Sequence, residues 1–177
     1  GHHRHAFGIR KGNTMETNRY LLSILVDDEP GVLSRIAGLF SGRGFNIDSL
    51  SVATTGDPHV SRITMVTNCD AQVIEQIKKQ LHKLINVITV TDLTEKKYVE
   101  RQLALIKVHA KPEKRAEILR MVDIFRCKIV DVGHSQFIIE MSGNSEKHKA
   151  FLSLLQPMGI VEIAATGSIA LARENGK

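Results

Sequence analysis

Residues 20–26 (YLLSILV) are apolar at both parities and are followed by acids and Pro30, a pattern that predicts a strand buried on both faces. Leu33, Ile36, Ala37 and Phe40 then recur at i, i+3, i+4 and i+7, one face of an amphipathic helix. Pro30 suits the first position of that helix, where a missing N–H costs nothing, and Gly42 and Gly44 are its expected stop. "FNIDSLSVATT" and "HVSRITMVT" alternate apolar with polar positions around "GDP" and predict a β-hairpin, with Asn46 at the head of its first strand. Ile74, Ile77, Leu81 and Leu84 mark a second helix from about Ala71, and "NVITVTDL" reads as a further strand. The order β-α-β-β-α-β is the split βαβ unit of ferredoxin-like domains.

From about Arg101 the order repeats with different residues. "LALIKVHA" is a strand, Ile118, Leu119, Val122 and Phe125 mark a helix, and "KIVDVG" with "QFIIEMS" forms a hairpin. His148, Phe151, Leu152 and Leu155 mark a helix stopped by Pro157, and "IVEIAATGSIAL" reads as one last strand. Between the halves, "TEKKYVERQ" is charged and reads as a linker. The chain is therefore expected to be α+β, with two tandem ferredoxin-like βαββαβ domains over 19–95 and 96–177 that meet near Lys96.

At 177 residues with 42% apolar content, the chain has enough material for two small cores. No apolar run approaches the ~20 residues that span a bilayer, and no apolar segment follows the basic N-terminal residues, so neither a membrane nor a secreted location is expected. Residues 1–14 are rich in His, Gly and cations, lack periodicity and precede Met15, which marks residues 1–18 as an expression extension with the lead into the first strand. That extension holds Arg4, Arg10 and Lys11. Without them the formal charge drops from +5 to +2, which removes most of the argument for nucleic acid. Cys69 and Cys127 have no second cysteine at metal or redox spacing and are expected to be free thiols in a reducing cytoplasm.

The chemistry concentrates in "DDEPGVL". A helix start leaves its first N–H groups, here those of Gly31, Val32 and Leu33, without helical acceptors at the positive end of the dipole. Gly31 has no side chain to obstruct a ligand, so a carboxylate can be held there without a basic residue. The acids Asp27, Asp28 and Glu29 stand beside it, and one of them can accept from an ammonium. A cationic and an anionic receptor side by side is what a free α-amino acid needs, although the same residues also read as ordinary helix capping. Asn46 offers a donor and an acceptor, and equally reads as a turn residue after Gly44. "GRGFNI" lacks the last glycine of a dinucleotide fingerprint and follows a helix. His82, His109, His134 and His148 are scattered over separate elements. No nucleophile elbow, P-loop or metal cluster accompanies them, so no catalytic residue and no metal ligand is expected in this chain.

"DDEPGVLSRIAGLFSGRGFNIDSLSVATT", "SRITMVT", "QIKKQLHKLINVITVTDL", "FRCKIVDVG" and "FLSLLQPMGIVEIA" together resemble the regulatory small subunit of acetolactate synthase (acetohydroxyacid synthase), over residues 19–173. The resemblance implies that the first half is an ACT domain, a ferredoxin-like module that commonly binds amino acids. It implies a non-catalytic chain in branched-chain amino-acid synthesis. Such a chain partners the large catalytic subunit, raises its activity and confers feedback inhibition, usually by valine. Thiamine diphosphate, Mg²⁺ and FAD are then expected in that partner and no cofactor here. Carried over residue by residue, the effector contacts fall on Asp28, Gly31, Val32, Leu33, Asn46 and Ile47, with Val26, Val52 and Ala53 near the aliphatic side chain. A homodimer through the ACT domains is implied, with the effector between the helix start of one and the Asn46 strand of the other. Two departures stand out. Asp28 replaces an asparagine frequent in relatives, and Ala165 stands where they commonly carry arginine. The competing readings are a freestanding ACT amino-acid sensor for another target and an acylphosphatase-like hydrolase on the same fold.

Overall fold

The computed structural model describes residues 16–41 and 45–174; the extension over residues 1–15 and the expected helix stops Gly42 and Gly44 lie outside the described residues. The chain divides into two compact units, one reaching Tyr98 and including Ala172 onward, the other Val99–Leu171.

In the first unit the elements are β1 (Asn18–Asp27), α1 (Val32–Ser41), β2 (Ser49–Thr54), β3 (Val60–Cys69), α2 (Ala71–His82) and β4 (Val87–Asp92). They form an antiparallel sheet in the order β2-β3-β1-β4, with β1 in register from Asn18↔Cys69 to Asp27↔Val60. Leu22, Ile24 and Val26 of β1 pack with Ile63 and Met65 of β3 against Val32, Ile36 and Phe40 of α1 and Ile74, Ile77 and Leu81 of α2. The other parity of β1, Leu21 and Ser23, is buried as well, which accounts for the unbroken apolar run. The Asp70 carboxylate caps α2 by accepting from the Val73 N–H at 2.8 Å.

The second unit repeats the topology with β5 (Tyr98–His109), α3 (Arg115–Ile124), β6 (Lys128–Val132), β7 (Gln136–Gly143), α4 (Ser145–Leu155), β8 (Ile160–Ala165) and β9 (Ile169–Ala172). Its sheet runs β6-β7-β5-β8, with β9 also paired to β5. Ile106, Val108, Phe137, Ile139 and Met141 meet Ile118, Val122, Phe151 and Leu155 in its core. Both halves are thus ferredoxin-like, and the α+β class with two βαββαβ repeats holds.

Several details depart from the sequence expectations. The α1 stripe is Val32, Ile36 and Phe40, while Leu33 and Ala37 are exposed; in α3, Leu119 is exposed likewise. Both stripes fit helical periodicity, and the direction from which the sheet approaches selects between them. The charged "linker" is not a loop, because Tyr98 to Gln102 open β5 and Glu100 is buried, accepting from the Ser145 N–H at 3.4 Å. The last expected strand is two, broken at Thr166–Ser168; the Thr166 N–H still donates to the Leu103 carbonyl at 2.9 Å. Pro30 is not the first helical residue. Gly31 adopts φ +86°, so helical geometry starts only at Val32.

Candidate effector site

The end of β1 is held from both sides by backbone bonds. The Asp27 N–H donates to the Asn86 carbonyl at 2.8 Å, and the Asp28 N–H to the His59 carbonyl at 2.8 Å. The chain then turns through Glu29, Pro30 and Gly31 into α1. With φ at +86°, Gly31 occupies a conformation that side chains rarely adopt, while a Cβ built on it would meet nothing within 4 Å. That position is open in space but demanding of the backbone.

The Val32 N–H donates weakly to Glu29 O at 3.4 Å and the Arg35 N–H to Gly31 O at 3.0 Å; the N–H groups of Gly31, Leu33 and Ser34 have no backbone acceptor among the described residues. The helix start thus offers three donors near the positive end of its dipole, Ser34 taking the place expected for Val32. Asp28, exposed, has no side-chain hydrogen bond or ion pair among the described residues. Glu29 is committed, since its Oε2 accepts from Asn86 Nδ2 at 3.0 Å. Asn86 Oδ1 in turn accepts from Arg35 Nη1 at 2.9 Å.

The other expected contacts are divided between the two ends of the sheet. Asn46 precedes β2 by three residues rather than opening it, and its carbonyl accepts from the Thr67 hydroxyl. Thr67 pairs with Tyr20, whereas the loop leaves the sheet at Asp27, opposite Val60. Seven residues of strand separate the two positions, about 23 Å at the usual rise. Ile47 is half-buried against the core beside Asn46, Val32 and Val26 lie within the core, and Leu33 is exposed on α1. Val52 and Ala53 alternate across β2: Val52 pairs with Ile63 on the helix-covered face, and Ala53 with Arg62 on the other. One chain therefore brings Asp28, Gly31 and Leu33 together and leaves Asn46 and Ile47 at the far end. Asn86 and His59 had no signal in the sequence, because their contacts with the loop join segments far apart along the chain, and the Arg35 side chain joins them only through Asn86.

Both cysteines are partly buried free thiols. Burial pushes Cys69 up, reinforced by Asp70 against the opposing Thr67 hydrogen bond, and burial pushes Cys127 up against Lys147. Both therefore favour the unreactive thiol. No group of three or more His, Cys, Asp or Glu is placed to hold a metal among the described residues. No helix of the described residues is long and apolar enough to cross a membrane.

Two ferredoxin-like domains in tandem, the first carrying an open helix start after β1, place the chain among proteins built on ACT modules. Residues 22–89 match the family model described as AHAS small subunit-like ACT domain, and residues 101–174 match the one described as small subunit of acetolactate synthase. The chain belongs to the acetolactate synthase small subunit family. It is 50% identical to a probable acetolactate synthase small subunit of Archaeoglobus fulgidus, over 90% of this chain and 99% of that one. It is 47% identical to the acetolactate synthase small subunit of Haemophilus influenzae, over 88% and 96% respectively. The crystal structure of the small subunit from Thermotoga maritima superposes with a TM-score of 0.79 at 43% identity, covering 89% of this chain and 99% of that one.

Proposed function

We propose that this chain is a non-catalytic regulator that binds the acetolactate synthase catalytic subunit, raises its activity and transmits feedback inhibition by valine. Two copies hold the effector between them. One observation carries this reading: the two parts of the site sit at opposite ends of an outer strand. Among the described residues β2 pairs only with β3, so its other edge is available to a second chain. A two-fold axis that pairs β2 antiparallel with its copy sets the Asn46 end of one chain beside the Thr54 end of the other. That is the end where Asp28 and Gly31 stand. The site is then complete only in the homodimer, and both of its copies are equivalent.

In this arrangement the effector carboxylate takes the N–H groups at the start of α1, and its ammonium faces Asp28. Asn46 and Ile47 of the other copy close the site. The open exposure of Leu33 and Val52, 43% and 45%, supplies apolar surface for a branched side chain. An effector that binds one dimer geometry better than another shifts the equilibrium by that difference alone, which is enough to regulate a partner without any reaction on this chain. Thiamine diphosphate, Mg²⁺ and FAD belong to the catalytic subunit in this reading, and the cytoplasm is where both subunits meet.

The test is acetolactate formation by the catalytic subunit with and without this chain, and with valine added. Stimulation by the chain followed by loss of activity with valine is the expected result. Sedimentation supplies the second arm: a monomer at every concentration removes the shared site, and valine bound by that monomer places the effector elsewhere.

A further inference from the structure

The two halves of the chain make the same pair of backbone bonds at corresponding places. In the first, Asp27 N–H donates to Asn86 O and Asp28 N–H to His59 O; in the second, His109 N–H donates to Gly159 O at 2.9 Å and Ala110 N–H to Ser135 O at 2.8 Å. The bulges match too, since β1 shifts register against β4 between Leu25 and Val26, and β5 against β8 between Lys107 and Val108. Asn86 and Gly159 are therefore structural counterparts. The second half makes this bond from a glycine at φ +92°, a conformation Asn86 does not share, so the backbone bond itself does not call for the Asn86 amide.

That amide is nevertheless only 8% exposed and is used at both ends. Its Nδ2 donates to Glu29 Oε2 at 3.0 Å, and its Oδ1 accepts from Arg35 Nη1 at 2.9 Å. Glu29 lies before the Pro30–Gly31 turn and Arg35 on the first turns of α1, so one side chain spans the turn that exposes the helix N–H groups. The bridge also removes the Glu29 carboxylate from competition. A loose Glu29 can reach back to the same N–H groups and repel an arriving carboxylate.

We propose that Asn86 is a positioning residue of the effector site: by tying Glu29 to Arg35 it holds the Asp27–Gly31 turn open and leaves Asp28 as the acid that faces the ligand. This rests on the reading of that turn as an amino-acid site. Asn86 touches no ligand itself, and its effect passes through Glu29 and Arg35.

The experiment measures L-valine binding to the full chain by calorimetry, alongside thermal unfolding, for four forms besides the original. Asn86→Gly removes both hydrogen bonds of the bridge and keeps the backbone one; it is expected to weaken valine by about tenfold or more and to lower the melting temperature as well. Asn86→Asp keeps an acceptor for Arg35 but sets two carboxylates against each other, and is expected to weaken valine at least as much. Glu29→Gln combined with Asn86→Asp reverses the donor and acceptor of the pair and should restore affinity to within about threefold, as the bridge is remade with one hydrogen bond of similar strength. Glu29→Gln alone should retain most binding, because a Gln carbonyl still accepts from the Asn86 amide. Rescue by the double substitution is the readout that a purely structural asparagine does not produce. Unchanged affinity in both single Asn86 forms overturns the positioning role and leaves the site standing, as does a loss that the double substitution fails to recover. If the original chain binds neither valine, leucine nor isoleucine, the site reading falls and this proposal with it.

Discussion

The two halves share one topology and differ where β1 and β5 hand over to a helix. In the first, Pro30 and Gly31 delay the helix to Val32 and leave N–H groups without a backbone acceptor among the described residues. In the second, Pro112–Lys114 form a 3-10 turn into α3, and Arg115 closes the corner. Its Nε donates to Ala110 O at 3.1 Å, its Nη2 to Gly133 O at 3.3 Å and to His134 O, and its guanidinium lies 5.2 Å from the centre of the Phe137 ring. A cation that satisfies three carbonyls makes a joint, whereas the first half keeps an open helix start beside Asp28, an acid with no side-chain partner among the described residues. One scaffold supports both because its core does not depend on what the connecting turn does.

The comparison is tested most severely by the cores. Phe40→Ala in the first half and Phe151→Ala in the second each remove a fully buried ring and its aromatic contact, with Phe45 at 6.1 Å and Phe125 at 5.1 Å respectively, and each is expected to cost about 3–5 kcal/mol in denaturant unfolding. Equal costs would show that the halves are matched in packing and differ only in their turns. Arg115→Ala should lower stability by about 1–3 kcal/mol through its unpaired carbonyls while valine affinity stays unchanged. A drop in affinity would mean that the second corner is not the passive joint described above. Gly31→Ala meets no atom but is strained at φ +86°, so a loss of about 1–2 kcal/mol is expected with weakened valine binding, read by melting and calorimetry together.

The smallest effect is a pH dependence confined to the second half. Burial pushes His148 below its ordinary 6.5, outweighing the hydrogen bond between its Nε2 and the Gln102 carbonyl. In the window just below 6.5 the unfolded chain binds the proton and the folded chain does not, so stability is held above 6.5 and lost as pH falls through that window. His148→Gln should flatten the melting temperature between pH 7 and pH 5.5, by about 1 °C or a few. The same slope in both proteins would place the titration elsewhere.

What could be read from the chain was local. Period-two and period-3.6 patterns located the strands and helices of both repeats, and their order named the ferredoxin-like fold, because side-chain alternation and helical stripes are written in neighbouring residues. The acid-proline-glycine turn and Asn46 were visible for the same reason. Tertiary structure decided what depends on distant partners. It set which stripe of α1 is buried, split the last strand after Ala165, and made strand of "YVERQ". It also set Asn46 and Gly31 at opposite ends of one sheet, which a list of contacts along the chain cannot reveal. Asn86 is the sharpest case. In sequence it is an ordinary polar residue between a helix and a strand, and only the register that brings it across from Asp27 gives its amide Glu29 and Arg35 to join.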